Sequence, residues 1–231
     1  VVTVIGLAAT AVTTSLDLLL AARTMLGAAG AVAFVVGGAI TSTICRRHLA
    51  HQSAVLIGTY FAGGGVGIVA SGFAVPAILD RQGAPGWQLG WVALAILAAI
   101  GTVAAAWAAY AAPTTAPQRG PRRPRPRGLG WLASGYLLFG AGYIGYMTFI
   151  VALLTQLGNP PSAITAFWVL LGVAGSISGS VWAGLLKTAV GGSAAAVLFV
   201  LLAVATGIPA VTAWTPALYF SGFLFGLCFL S

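Results

Sequence analysis

Charge is nearly missing from this chain. Only 5% of its 231 residues are Asp, Glu, Lys or Arg, whereas a soluble domain carries roughly a quarter, and 60% are apolar. A sequence of that make-up cannot be solvated as an ordinary globule. Acid is scarcest, with Asp17 and Asp80 the only carboxylate side chains. Nowhere do a nucleophile, a base and an orienting group occur together, and no metal-ligand set can be assembled, so neither enzyme chemistry nor a cofactor is expected. Cysteine is limited to Cys45 and Cys228, each in or beside an apolar run, which excludes a disulfide framework and leaves both as small packing residues. Polar ends are lacking too. The chain starts at Val1 inside an apolar run with no charged segment before it, so the start does not read as a signal peptide, and it stops within GFLFGLCFLS. Both ends look cut, as in an internal fragment of a longer protein.

What the sequence has instead is long apolar runs. About 20 apolar residues are needed for a helix to cross the hydrocarbon core, and by that measure eight pieces emerge. They run over 1–14, which is short for a span, then 18–44, 54–79, 87–112, 129–157, 162–186, 193–213 and an incomplete 216–231. Turn chemistry marks the joints. Two prolines in Gly158-Asn159-Pro160-Pro161 cannot continue the preceding helix, Ser162 is placed to cap the next, and Asp80 to Gly86 forms another break. Trp87, Trp91, Trp131 and Trp214 lie near predicted span ends, where indole favours the headgroup region. A porin-like barrel would need alternating segments of about ten residues, and these runs are too long and too continuously apolar for that.

Eight of the ten basic residues fall in alternate gaps: Arg46 and Arg47, then five arginines between Arg119 and Arg127, then Lys187. Only Arg23 and Arg81 fall on or near the other side. This is the positive-inside bias of a multi-pass protein, and it puts those gaps in the cytoplasm. The net charge of +8 therefore reads as topology and contact with anionic lipid, not as nucleic-acid binding. Residues 113–128, PTTAPQRGPRRPRPRG, combine prolines with mutually repelling arginines and read as a cytoplasmic linker. It separates residues 1–112 from residues 129–231, each with about four spans.

Two helical groups joined by a basic cytoplasmic linker resemble the middle of a major facilitator superfamily transporter. Specific residues carry the resemblance. Arg23-Thr24-Met25-Leu26-Gly27-Ala28-Ala29-Gly30-Ala31 is similar to that superfamily's fourth-helix signature. Tyr60 to Ile68, Gly86-Trp87-Gln88-Leu89-Gly90-Trp91, and above all Tyr136 to Phe149 resemble the YbfB/YjiJ-type branch of bacterial transporters. The resemblance implies an all-α integral membrane bundle truncated at both ends, covering about helices three to ten of twelve. It also implies a multi-pass location in the bacterial cytoplasmic (inner) membrane. The partners it implies are the lipid bilayer and an unidentified small solute, with protons as a candidate coupling ion. Two departures stand out: Trp182 to Lys187 lacks the acidic residue of the repeated cytoplasmic signature, and the third piece lacks the antiporter-type proline, Pro76 lying too late.

The resemblance assigns Arg23, with Gly27 one turn on, to coupling and translocation. The competing reading is that Arg23 snorkels to the outer interface. Asp17 reads as a helix-dipole partner, and His48 and His51 as loop residues. No carboxylate lies deep in a predicted span, so either a titrating group comes from helices outside this sequence or the transporter is not proton-driven. Tyr143, Tyr146, Phe149 and Trp168 occupy helices whose counterparts line the superfamily's cavity; packing is the alternative. Gly63 with Gly67, Gly175 with Gly179, and Gly222 with Gly226 would permit close helix approach, whether as sliding contacts or as plain packing. Gly65-Val66-Gly67-Ile68-Val69-Ala70 matches a dinucleotide-binding pattern only by accident, since no strand precedes it. A membrane-embedded enzyme or respiratory subunit would show clustered His, Asp or Glu at span ends, which this sequence lacks. A transporter-like sensor or scaffold remains an alternative function.

Overall fold

The computed structural model describes residues 1–48, 53–111, 129–188 and 192–230. The linker at 113–128 and His51 lie outside the described residues, as do the side chains of Cys45, Arg46, Arg47, His48 and Lys187. The described chain is helical: α1 (Val2–Val12), α2 (Leu16–His48), α3 (Ser53–Gln82), α4 (Trp87–Ala111), α5 (Leu129–Gln156), α6 (Pro161–Val181), the short α7 (Ala183–Thr188), α8 (Ser193–Val211) and α9 (Thr215–Phe229). Among the described residues six stretches are long and apolar enough to cross a membrane: Leu16–Thr43, Leu56–Gln82, Trp87–Ala108, Ala133–Gln156, Pro161–Leu185 and Ser193–Val211. Residues such as Val32, Val103, Trp107 and Leu138 stand exposed on the outside of the bundle. Water would penalise such a surface and lipid does not. This is a polytopic all-α membrane protein.

The predicted segments coincide with helices to within a few residues, and the differences have local causes. At 33 residues, or roughly 50 Å, α2 is longer than the hydrocarbon core is thick. It therefore carries Arg46, Arg47 and His48 as helix and not as loop, at the end where cations suit the helix dipole. Ser162 does not cap α6. The N-cap is Pro160 and Pro161 takes the first helical position, where its missing N–H costs nothing. The preceding helix closes on Gly158, whose φ of 75° is in the left-handed region. The Gly158 N–H donates to the Thr155 carbonyl at 3.0 Å and the Asn159 N–H to Leu154 at 3.1 Å, the paired bonds of a Schellman end. The expected segment 162–186 breaks at Trp182, whose indole N–H donates to the Leu227 carbonyl on α9 at 2.8 Å.

In the N-terminal group, α1 packs against α2 and α4, and α3 packs against both of those helices. In the C-terminal group, α6 and α8 pack on α9, with α5 resting more lightly on α6 and α8. Phe167, Leu171, Leu218 and Phe225 are wholly buried there, with Leu154 nearly so. The two groups meet along α3 and α6.

Candidate functional site

The α3–α6 contact is built from backbone. Gly58, Gly65 and Gly72 recur every two helical turns on one face of α3, opposite Gly179, Gly172 and Trp168 of the antiparallel α6. A methyl group at Gly179 would lie 2.9 Å from the Gly58 Cα, and one at Gly65 would collide with the Gly172 carbonyl and the Ser176 backbone. The Ser176 hydroxyl accompanies this approach, donating to Gly172 at 2.9 Å and reaching Ala62 across the seam at 3.3 Å. Of the glycines expected to pack, Gly179 faces this seam, and Gly175 sits between it and the end of α9, where a methyl group would lie 3.7 Å from the Gly65 Cα but closest to Leu230, at 3.1 Å. Gly63 and Gly67 do not face the seam, because both point into open space. Gly222 and Gly226 meet α6 at Phe167 and at Leu171 with Ala174.

Cavities lie at both ends of this seam. The one nearer the start of α5 and α8 encloses about 360 Å³ between Phe34 and Phe61 of the N-terminal group and Tyr136, Phe139 and Phe199 of the C-terminal group. At the other end a cleft of about 440 Å³ lies between α3 and the α5–α6 pair, lined by Trp168 and by Asp80 in the last turn of α3. The candidate aromatic residues are dispersed among these features. Tyr143 packs on Phe139 and Phe229, at centroid distances of 5.3 and 4.8 Å. Phe149 is exposed and, with Tyr146, borders a further cavity of about 360 Å³ between α5 and α8.

Tyr146 is buried and stacks on Phe225 at 4.3 Å, and its hydroxyl lies 2.8 Å from the Ser221 hydroxyl. The direction of that bond follows from Pro209. Proline has no N–H, so within α8 the carbonyl four residues earlier, that of Ala205, loses its helical donor. The Ser221 hydroxyl donates to that carbonyl at 2.7 Å. With its only hydrogen committed there, Ser221 accepts from Tyr146. This chain of two bonds ties α5, α9 and α8 together with every member satisfied, as a buried polar group in lipid requires.

Arg23 lies two turns into α2, with its guanidinium carbon 4.0 Å from the centroid of the Trp91 ring on α4. Asp17 occupies the first turn of the same helix, and Gly27 opens onto free space. Arg23 is thus brought to an aromatic face, while the candidate cavity residues lie in the other helical group. Residue patterns alone do not single out Gly58, Gly65, Gly72, Asp80 or Ser221, and they mark Trp91 only as an interfacial indole and part of a family motif. Two signals were available in principle: the seven-residue glycine spacing in α3, and Pro209 with its orphaned carbonyl. Among the described residues no group of three His, Cys, Asp or Glu could hold a metal ion.

Neither curated proteins nor solved structures return a match to this chain. The family described as "Uncharacterised MFS-type transporter YbfB" matches it over residues 1–231. Six apolar spans among the described residues and that match over 1–231 agree, and the chain belongs to the YbfB-type family of major facilitator superfamily transporters.

Proposed function

We propose that the protein carries a small solute across a bacterial cytoplasmic membrane by alternating access, with residues 1–112 and 129–231 as two halves that rock about the α3–α6 seam. The observation that carries this reading is the seam itself, where the backbones of Gly58 and Gly65 on α3 approach those of Gly179 and Gly172 on α6. A small rotation there needs little repacking. Cavities between the groups at opposite ends of the seam support it further. Arg23 and Gly27 serve coupling, with protons as the candidate ion. Tyr143, Tyr146, Phe149 and Trp168 belong to the solute path or its supporting wall.

Spin-label pairs in the full-length protein test the rocking motion. One pair, at positions 34 and 195, spans the cavity near the start of α5 and α8, and another, at 79 and 151, spans the cleft at the other end of the seam. When a pH gradient or transported solute shifts the populations, one distance should lengthen as the other shortens. Distances that lengthen together, or that remain single and fixed throughout, would sink the proposal.

A further inference from the structure

The cleft beside the last turn of α3 has a chemical character that the transporter reading leaves open. Its wall is formed by Val75, Pro76, Val151 and Ile164, with the indole of Trp168 and a single charged group, Asp80. Its volume of about 440 Å³ suits a small organic molecule. An apolar chamber with one anionic group and an aromatic wall is complementary to a cation with an apolar body.

Asp80 is also oddly placed for a residue serving only the helix. It sits in the last turn of α3, where the carbonyl end of the helix disfavours a carboxylate. Its carboxylate stands exposed at the mouth of the cleft and, among the described residues, has no hydrogen-bond or ion-pair partner. Arg81 follows directly, but consecutive helical residues do not face each other, and Arg81 does not line the cleft. A local rule broken without a local gain points to a role outside the helix. Trp168, in contrast, is held firmly. Its Cβ fits against Gly72, where a methyl group would sit only 2.9 Å away, and its ring stands edge-on to the buried Phe167 at 6.2 Å.

We propose that this cleft binds a lipophilic organic cation, with Asp80 supplying the countercharge and Trp168 the aromatic face. As a statement about the transported solute it rests on the transporter reading above, whereas the binding site stands or falls by itself. The probe is tetraphenylphosphonium, measured by equilibrium dialysis against the purified full-length protein in detergent. Tetraphenylborate, an anion of the same shape, is dialysed in a separate experiment, because the two ions pair with each other. Saturable binding of the phosphonium is expected, weakened about tenfold or more by Asp80→Asn, as for loss of a charged partner. Asp80→Glu should keep it, Trp168→Phe should weaken it less than Trp168→Leu, and tetraphenylborate alone should show no Asp80-dependent binding. Absence of saturable binding, an Asp80→Asn protein that binds like the parent, or borate binding as tight as that of the phosphonium overturns the site. If Asp80-dependent binding persists while the two spin-label distances fail to move in opposition, the transport reading fails and the site survives.

Discussion

The guanidinium of Arg23 lies over the indole of Trp91, 4.0 Å from the ring centroid, and joins α2 to α4 within the N-terminal group. An arginine two turns inside an apolar helix needs a partner for its charge, and an indole face contributes about 0.5–2 kcal/mol. Arg23→Leu in the full-length protein should abolish concentrative transport while membrane insertion stays intact. Trp91→Leu should impair transport more than Trp91→Phe, which keeps a ring. Concentrative uptake or efflux retained by the Arg23→Leu protein, assayed in proteoliposomes, would reduce Arg23 to an interfacial anchor.

Ser221→Ala should destabilise the protein by about 1–3 kcal/mol, because it strands both the Ala205 carbonyl and the Tyr146 hydroxyl in a buried site. Pro209→Ala returns an amide donor to that carbonyl, so the serine should matter less in the Pro209→Ala background. Denaturation of the two single variants and the double variant gives the coupling directly. Equal cost of Ser221→Ala in both backgrounds would remove the link between proline and serine.

Along the seam, Gly65→Ala places a methyl group against the Gly172 carbonyl and the Ser176 backbone, and should cost about 1–3 kcal/mol. Gly63→Ala and Gly67→Ala meet open space and should be neutral or slightly stabilising. Thermal unfolding of the three purified variants checks the order, and a Gly63→Ala protein as weak as Gly65→Ala would contradict the register of the seam.

For sidedness, positions 47 and 123 should face the cytoplasm and position 81 the opposite side, as the distribution of basic residues requires. Single cysteines at these positions, in a protein lacking Cys45 and Cys228, can be probed with an impermeant thiol reagent. Labelling of position 123 from outside intact cells would reverse the orientation.

Helix positions were legible because each depends on its own residues: a long apolar run, and a stop such as Gly158-Asn159-Pro160-Pro161. The break at Trp182 was not, since its partner is the Leu227 carbonyl on another helix. The same holds for Tyr146 and Ser221, 75 positions apart. Glycine content was legible but glycine direction was not. Helix α3 carries Gly58, Gly63, Gly64, Gly65, Gly67 and Gly72, and only the neighbouring helix decides which of these lie in the contact. Asp80 reads as part of a turn until α5 and α6 are seen to close a cleft around it.

The proline in α8 also bears on how the chain enters the bilayer during synthesis. Helix α8 leaves the ribosome before α9, carrying an Ala205 carbonyl without a helical donor, and such a group in hydrocarbon costs several kcal/mol. Its donor, Ser221, lies 16 residues downstream, past the turn between Val211 and Thr215. Alone in lipid, α8 would hold an unpaired dipole. Paired with α9, it holds none. The hairpin of α8 and α9, more than either helix singly, therefore meets the demand that hydrocarbon makes on the backbone of α8.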